Sequence, residues 1–164
     1  THAQSYRIIF KSMEITKLPA KILNNKISLV SVEEVKRGSF KELILAMKEV
    51  MKDKQGVGLA ANQISKDLSI FVIEPTLAVE FGVPDVYLNP EIIEYSKDQD
   101  EMEEGCLSIP QYFIQIKRAK KIKIKFIDEN GEKKKIKARG FLARVLQHET
   151  DHLNGLTIKN RFKK

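Results

Sequence analysis

Two spacings of apolar residues alternate along the chain, one of three or four positions and one of two. Leu43, Ile44, Met47, Val50 and Met51 follow the first, and the preceding "SFKE" (Ser39 to Glu42) has the spacing of a capping box. An amphipathic helix is therefore predicted over about 40–54, stopped near Gly56. "SIFVIE" (69–74) and "VYLNPEIIEY" (86–95) read as strands, with Pro90 marking a bend or an edge. In "KIKIKFI", Ile122, Ile124 and Phe126 alternate with lysines, the period of a strand with one face inward and the other in water. "DENG" (128–131) turns the chain into "EKKKIKA", which predicts a hairpin. "GFLARVLQHETDHLNG" sets Phe141, Leu142, Val145 and Leu146 at helical spacing and ends on Gly155, in the place of a helix stop. Helices and antiparallel strands mixed in this order predict an α+β fold rather than a doubly wound parallel sheet.

Composition bounds this picture without redirecting it. The 164 residues fit one domain with a real core, and no Pro/Gly/Ser linker or repeat divides them, so 1–164 is read as a single domain. No apolar run approaches the roughly 18 residues of a membrane span, and "THAQSYRIIF" lacks the apolar core of a signal peptide. A single cysteine rules out an intramolecular disulfide framework and suits a reducing compartment. The net charge of +7 permits an anionic partner such as RNA, a ribosome or a membrane surface. Eleven of the cations fall within 117–139. A solvated sheet face is the favoured reading of their alternation in "KIKIKF", because no RNA-stacking aromatic motif accompanies it.

The chemistry begins at "QHETDHLNG" (147–155). His148 and His152 stand four apart, so a helix turns both imidazoles to one face, with Glu149 beside them. H-E-x-x-H on a helix is a metal-hydrolase pattern: two nitrogen ligands and a carboxylate able to handle a proton. The twelve residues after His152 hold no Cys, His, Asp or Glu, so a third ligand must come from upstream. Cys106, the sole thiol, in "EEGCLSIP", is the strongest choice. One Cys and two His leave a coordination position for water, as in a catalytic site. "GVGLAANQ" (56–63) is not a dinucleotide fingerprint. Beside a metal site it supplies exposed backbone for a peptide and, in Gln63, an N–H donor for an oxyanion.

Together these stretches resemble the peptide deformylase family, which shows G-x-G-L-A-A-x-Q, E-G-C-L-S and Q-H-E-x-x-H in this order. Here they stand as Gly56–Gln63, Glu104–Ser108 and Gln147–His152. The resemblance runs from about Pro19 to Thr157, with 1–18 matching loosely and 158–164 read as a basic solvated tail. It implies an α+β fold in which the HExxH helix lies among small, mainly antiparallel sheets. The implied activity is removal of formyl from N-formylmethionine at the start of new polypeptides. It implies Cys106, His148 and His152 as ligands of one divalent metal, with Fe(II) expected as the native ion and Zn(II), Ni(II) or Co(II) also suited to the set. It implies Glu149 as general acid and base, and Gln63 with the backbone N–H of Leu107 as the oxyanion hole. Gly58 and Gly105 fall where the family's backbone pairs with substrate, and Val57, Met102, Phe141 and Val145 where the methionine pocket is lined. Phe113 stands where some members carry a substrate-contacting Arg.

The resemblance further implies formyl-Met peptides and nascent chains as partners, with a ribosome contact through the basic surface, no DNA and no membrane. A monomer in the cytoplasm of a bacterial or phage-infected cell is expected, or in an organelle stroma or matrix if a leader is removed. The chain is similar to the family's short-C-terminus form. Two rivals make different demands. A zincin-like metallopeptidase requires a downstream third ligand. A basic RNA-binding domain with a structural metal site requires a fourth protein ligand, for which His2 is the spare histidine.

Overall fold

The computed structural model describes residues 13–162. Its elements in chain order are α1 (Val32–Lys36), α2 (Lys41–Asp53), β1 (Gly58–Ala60), β2 (Ile70–Ile73), α3 (Pro75–Phe81), β3 (Val86–Tyr95), β4 (Gln99–Cys106), β5 (Ile109–Ala119), β6 (Lys121–Ile127), β7 (Lys133–Arg139), α4 (Gly140–Leu153) and α5 (Ile158–Phe162). Five strands form an antiparallel sheet in the order β1-β2-β3-β6-β7, and β4 and β5 form a separate antiparallel pair. The expected α+β architecture with small antiparallel sheets is present.

Side-chain alternation decides what covers each face of the large sheet. Phe71, Ile73, Tyr87, Ile122, Ile124 and Phe126 pack with Leu142, Val145 and Leu146 of α4. Ile70, Val72, Val86 and Leu88 turn the other way and pack with Ile44, Met47, Val50 and Met51 of α2. β2 therefore lies between two helices and is buried along its whole length, which explains its unbroken apolar run. Each such side chain removed from water contributes roughly 1.5–3 kcal/mol before conformational entropy is subtracted. Tyr87 stacks on Phe71 with ring centres 4.9 Å apart and tilts against Phe126 at 4.4 Å.

Local chemistry sets the ends. α4 closes in a Schellman arrangement: Leu156 N–H donates to Asp151 O, Gly155 N–H to His152 O, and Gly155 takes φ +75°. A Cβ on Gly155 would also lie 2.7 Å from the Asn25 carbonyl carbon, so glycine is required twice over. Pro90 follows Asn89, whose φ is +49°, at a register shift in β3 just past the last β2 partner. The predicted bend is thus a bulge, and Asn89 fixes it by bonding both the N–H and the carbonyl of Val30.

Three sequence expectations need correction. The capping box at Ser39 does not form: Ser39 N–H closes the preceding turn on Glu34 O, and Phe40 takes the N-cap position without a side-chain bond. The basic tail is not simply solvated, since Ile158 is buried and Arg161 of α5 holds Asp151 through two hydrogen bonds. Arg118, one of the cations of 117–139, is buried rather than in water. His2 lies outside the described residues. Among the described residues no helix is long and apolar enough to cross a membrane.

Candidate active site

Three elements meet where the two sheets face α4. The inner face of α4 carries His148, Glu149 and His152, the β4–β5 hairpin brings Cys106 at its turn, and β1 with the short helix after it brings Gly58 and Gln63. Cys106 Sγ lies 3.3 Å from His152 Nε2, and His152 Nε2 lies 3.2 Å from His148 Nε2. All three donor atoms fall within 4.8 Å of one another. A tetrahedral ion with bonds of about 2.0–2.3 Å needs ligand atoms spaced by about 3.3–3.8 Å. The donor set, one thiol and two imidazoles, therefore fits a divalent transition metal, and among the described residues no fourth Cys, His, Asp or Glu joins it. That favours open coordination over a closed structural site, and the third donor lies upstream of the helix rather than downstream.

The His148 imidazole is aimed by groups that sequence reasoning passed over. Glu104, two residues before Cys106 and so on the same side of β4, accepts from His148 Nδ1 at 2.9 Å, which leaves Nε2 facing the donor cluster. Arg118 holds both oxygens of Glu104, at 2.6 and 2.9 Å, and reaches Asp151 at 2.9 Å. Arg144, one turn before His148, also donates to Glu104, then to Ile116 O and Asp100. These buried charges are each satisfied by an opposite charge with directed hydrogen bonds, the condition under which a buried ion pair is tolerated. The signal was present in the spacing, because Arg144 and His148 are i and i+4 on one helix and Glu104 and Cys106 are i and i+2 on one strand. What spacing could not reveal is that Arg118, the tenth residue of β5, completes the set.

Protonation follows from this shell. Burial disfavours a charged Glu104, yet the His148 hydrogen bond and the Arg118 guanidinium hold its carboxyl well below the usual range. Burial likewise opposes charge on His148, but Cys106 and Glu104 raise its pKa to about 10. His152, buried and beside a cationic His148, is pushed well below the ordinary histidine value. A donor must be unprotonated to bind a metal ion, so metal capture by this set is coupled to proton release. Burial pushes the Glu149 carboxyl up to about 7.

Glu149 is 2% exposed, and its Oε2 has no hydrogen-bond partner among the described residues. It packs against Gly58 so closely that a Cβ there would lie 2.8 Å from the carboxyl carbon. Gln63 is oriented rather than free: Ala60 N–H donates to its Oε1 at 3.0 Å, which turns Nε2 toward Ser108 Oγ at 3.1 Å and Cys106 Sγ at 3.6 Å. The Leu107 N–H, in the hairpin turn after Cys106, donates to no described backbone carbonyl.

A cleft of about 850 Å³ collects nearly every residue singled out from the sequence. Gln63, Cys106, Leu107, His148 and Glu149 line it, as do Val57, Gly58, Met102, Gly105, Phe141 and Val145. His152 lies beneath its floor, 1% exposed. Val57, Met102 and Phe141 are among the few large apolar side chains left exposed, and the cleft explains all three. Phe113 joins them, 64% exposed, with its ring over Gly105.

A family model described as polypeptide deformylase matches residues 12–164. A peptide deformylase from Dictyoglomus thermophilum is 43% identical over 148 residues, which cover 90% of this chain and 91% of that protein. The crystal structure of peptide deformylase from Thermotoga maritima superposes with a TM-score of 0.82 at 36% identity, covering 91% of this chain and 96% of that one. A class I type b peptide deformylase from Acinetobacter baumannii, crystallised with Met-Ala-Ser bound, matches with a TM-score of 0.81 at 33% identity, covering 91% and 97%.

Proposed function

The chain belongs to the polypeptide deformylase family of enzymes, and on that premise we propose that it removes the formyl group from N-formylmethionine at the start of new polypeptides, releasing formate. The observation that carries this reading is a convergence in one cleft. An open three-donor set, a buried carboxylate and an amide N–H turned toward the thiol of that set lie beside an apolar recess.

Cys106, His148 and His152 would hold the metal, Fe(II) by preference, with Zn(II), Ni(II) or Co(II) compatible with the same atoms. A divalent ion there supplies Lewis acidity, making water nucleophilic near neutral pH and polarising the formyl oxygen. The protein's own groups do the rest. Glu149, whose carboxyl burial raises above the ordinary carboxylate value, accepts a proton as water attacks the formyl carbon. The oxyanion that develops is met by Gln63 Nε2 and the Leu107 N–H. Glu149 then returns its proton to the departing α-amine, the C–N bond breaks, and formate leaves. Val57, Met102, Phe141 and Val145 receive the methionine side chain, and the free edge of β1 at Gly58 with the backbone of Gly105 holds the peptide. His148 Nδ1 on Glu104 keeps the ligand imidazole in one orientation throughout.

On the same reading the enzyme works as a monomer on nascent chains in the cytoplasm of a bacterial or phage-infected cell, or in an organelle. The test is formate release from formyl-Met-Ala-Ser against acetate release from acetyl-Met-Ala-Ser, with metal content measured after anaerobic purification. Turnover of the formyl peptide alone is expected. Equal turnover of both, or of neither with metal bound, overturns the assignment.

A further inference from the structure

Away from the cleft, the β6–β7 hairpin carries an arrangement that the enzyme does not use. Lys121 stands directly across from Arg139, Lys123 from Lys137, and Lys125 from Lys135. All six share the face of Ile127, opposite the buried Ile122, Ile124 and Phe126. α2 packs on that face over β1 and β2 and leaves this end bare, with all six but the half-buried Lys123 exposed. Like charges directly opposed across antiparallel strands destabilise a sheet, and here three successive pairs do so. Glu91 and Glu94 on β3 relieve Lys125 at 3.2 Å and Lys123 at 4.0 Å. Lys121, Lys135, Lys137, Arg139 and the neighbouring Lys133 have no carboxylate within 4.0 Å among the described residues.

Two ordinary explanations fall short. Lysines on an edge strand block edge-to-edge pairing, which accounts for β7, but β6 is an interior strand of the sheet. Solubility is served by interspersed charges of both signs, not by a single-sign ladder that repels itself.

We propose that this ladder is a docking surface for the phosphate backbone of duplex RNA. Lysines act as point charges toward phosphate. From Lys121 to Lys125 the face runs about 14 Å at 3.4 Å per residue, with two cationic rows about 4.8 Å apart. A-form RNA presents a wide, shallow minor groove recognised through shape, phosphates and 2′-hydroxyls, which a flat face can span. β6 is flanked by β3, so the hairpin cannot enter a DNA major groove as a free ribbon. Single-stranded nucleic acid calls for stacking aromatics, and the ladder positions hold none. An anionic membrane calls for apolar side chains that insert, and Ile127, the apolar residue of this face on β6, is only 9% exposed.

The experiment uses the full, metal-loaded protein and a 20-base-pair RNA duplex, with Kd followed from 50 to 200 mM KCl. Five phosphate contacts predict a log–log slope of about −4.5, a weakening of about 500-fold over that range. Lys135→Gln/Lys137→Gln/Arg139→Gln leaves two contacts and a weakening of about 12-fold. Its thermal midpoint should equal or exceed the parent's, because repulsion is removed. Formyl-peptide turnover should be unchanged. Lys41→Gln/Lys52→Gln/Lys97→Gln, which removes the same charge elsewhere, should keep the parental slope. Equal loss in both triple variants, or a parental slope in the ladder variant, overturns the proposal. Tighter binding to a DNA duplex of the same sequence, or to phosphatidylserine-containing vesicles, overturns the choice of RNA.

Discussion

Replacing Gly58 by alanine separates two uses of one glycine. If Gly58 serves only to let a substrate strand approach β1, an added methyl crowds the peptide and raises KM. The packing points elsewhere. The new Cβ would lie 2.8 Å from both Cγ and Cδ of Glu149 and 2.9 Å from Oε2, about 0.6 Å inside the 3.4 Å at which ordinary contact begins. Gly58 does not have positive φ, so alanine adds no backbone strain and the collision must be relieved by side-chain movement. Glu149 cannot swing into solvent, being 2% exposed on a helix fixed between sheets. Overpacking of this kind costs about 1–3 kcal/mol of stability. Misplacing a catalytic group by about 1 Å costs about 10²-fold in rate, and a shift of roughly 0.6 Å should cost between tenfold and that figure. Steady-state kinetics on formyl-Met-Ala-Ser, with metal content and thermal midpoint measured in parallel, read all three quantities. The expected result is a fall in kcat with KM and metal content near parental values. A raised KM with kcat intact would show that the methyl meets substrate and not Glu149, and would refute the packing argument.

Glu149→Gln should retain metal but lose about 10²–10⁴ in kcat, the usual worth of general acid–base catalysis, and a variant within tenfold of the parent would remove Glu149 from the mechanism. Gln63→Leu should slow single-turnover deformylation by about 10²–10³-fold with metal retained. It should also cost about 1–3 kcal/mol of stability, because Ala60 N–H and Ser108 Oγ lose a buried partner. A threefold change in rate would leave Gln63 as scaffold alone. Glu104→Gln should weaken metal affinity by about 10–100-fold through the loosened His148, as metal titration would detect. Because the folded protein lowers the pKa of Glu104, its stabilisation is complete above the ordinary value of 4.5 and is lost as pH falls below it. Denaturant unfolding should therefore show the parent–variant gap closing as the pH is lowered, whereas a constant gap would mean that the network is not held by the ionised carboxylate.

Much of this protein was determined locally. The 3.6-residue period of α2 and α4, the two-residue period of β6 and the turn at "DENG" need only neighbouring residues to act, and each forms where its pattern lies. His148 and His152 share a helix face by spacing alone, with Glu149 beside them. Two of the three donors were therefore legible before any folding was considered, and Cys106 followed as the sole thiol. Other features depended on distant partners. The capping box at Ser39 lost to a turn closed on Glu34, because the same N–H had a better carbonyl to reach. Arg118 looked like one more cation in a basic stretch, and only the pairing of β4 with β5 brings it to Glu104 and Asp151. The final basic residues looked solvated until α5 gave Arg161 a buried carboxylate. Tertiary structure also decided that Gly58 makes room for Glu149, since a missing side chain leaves no mark of what fills its space. The division follows range: periodicity and spacing act within a turn or a strand pair, whereas burial of a charge is set by whichever distant group satisfies it.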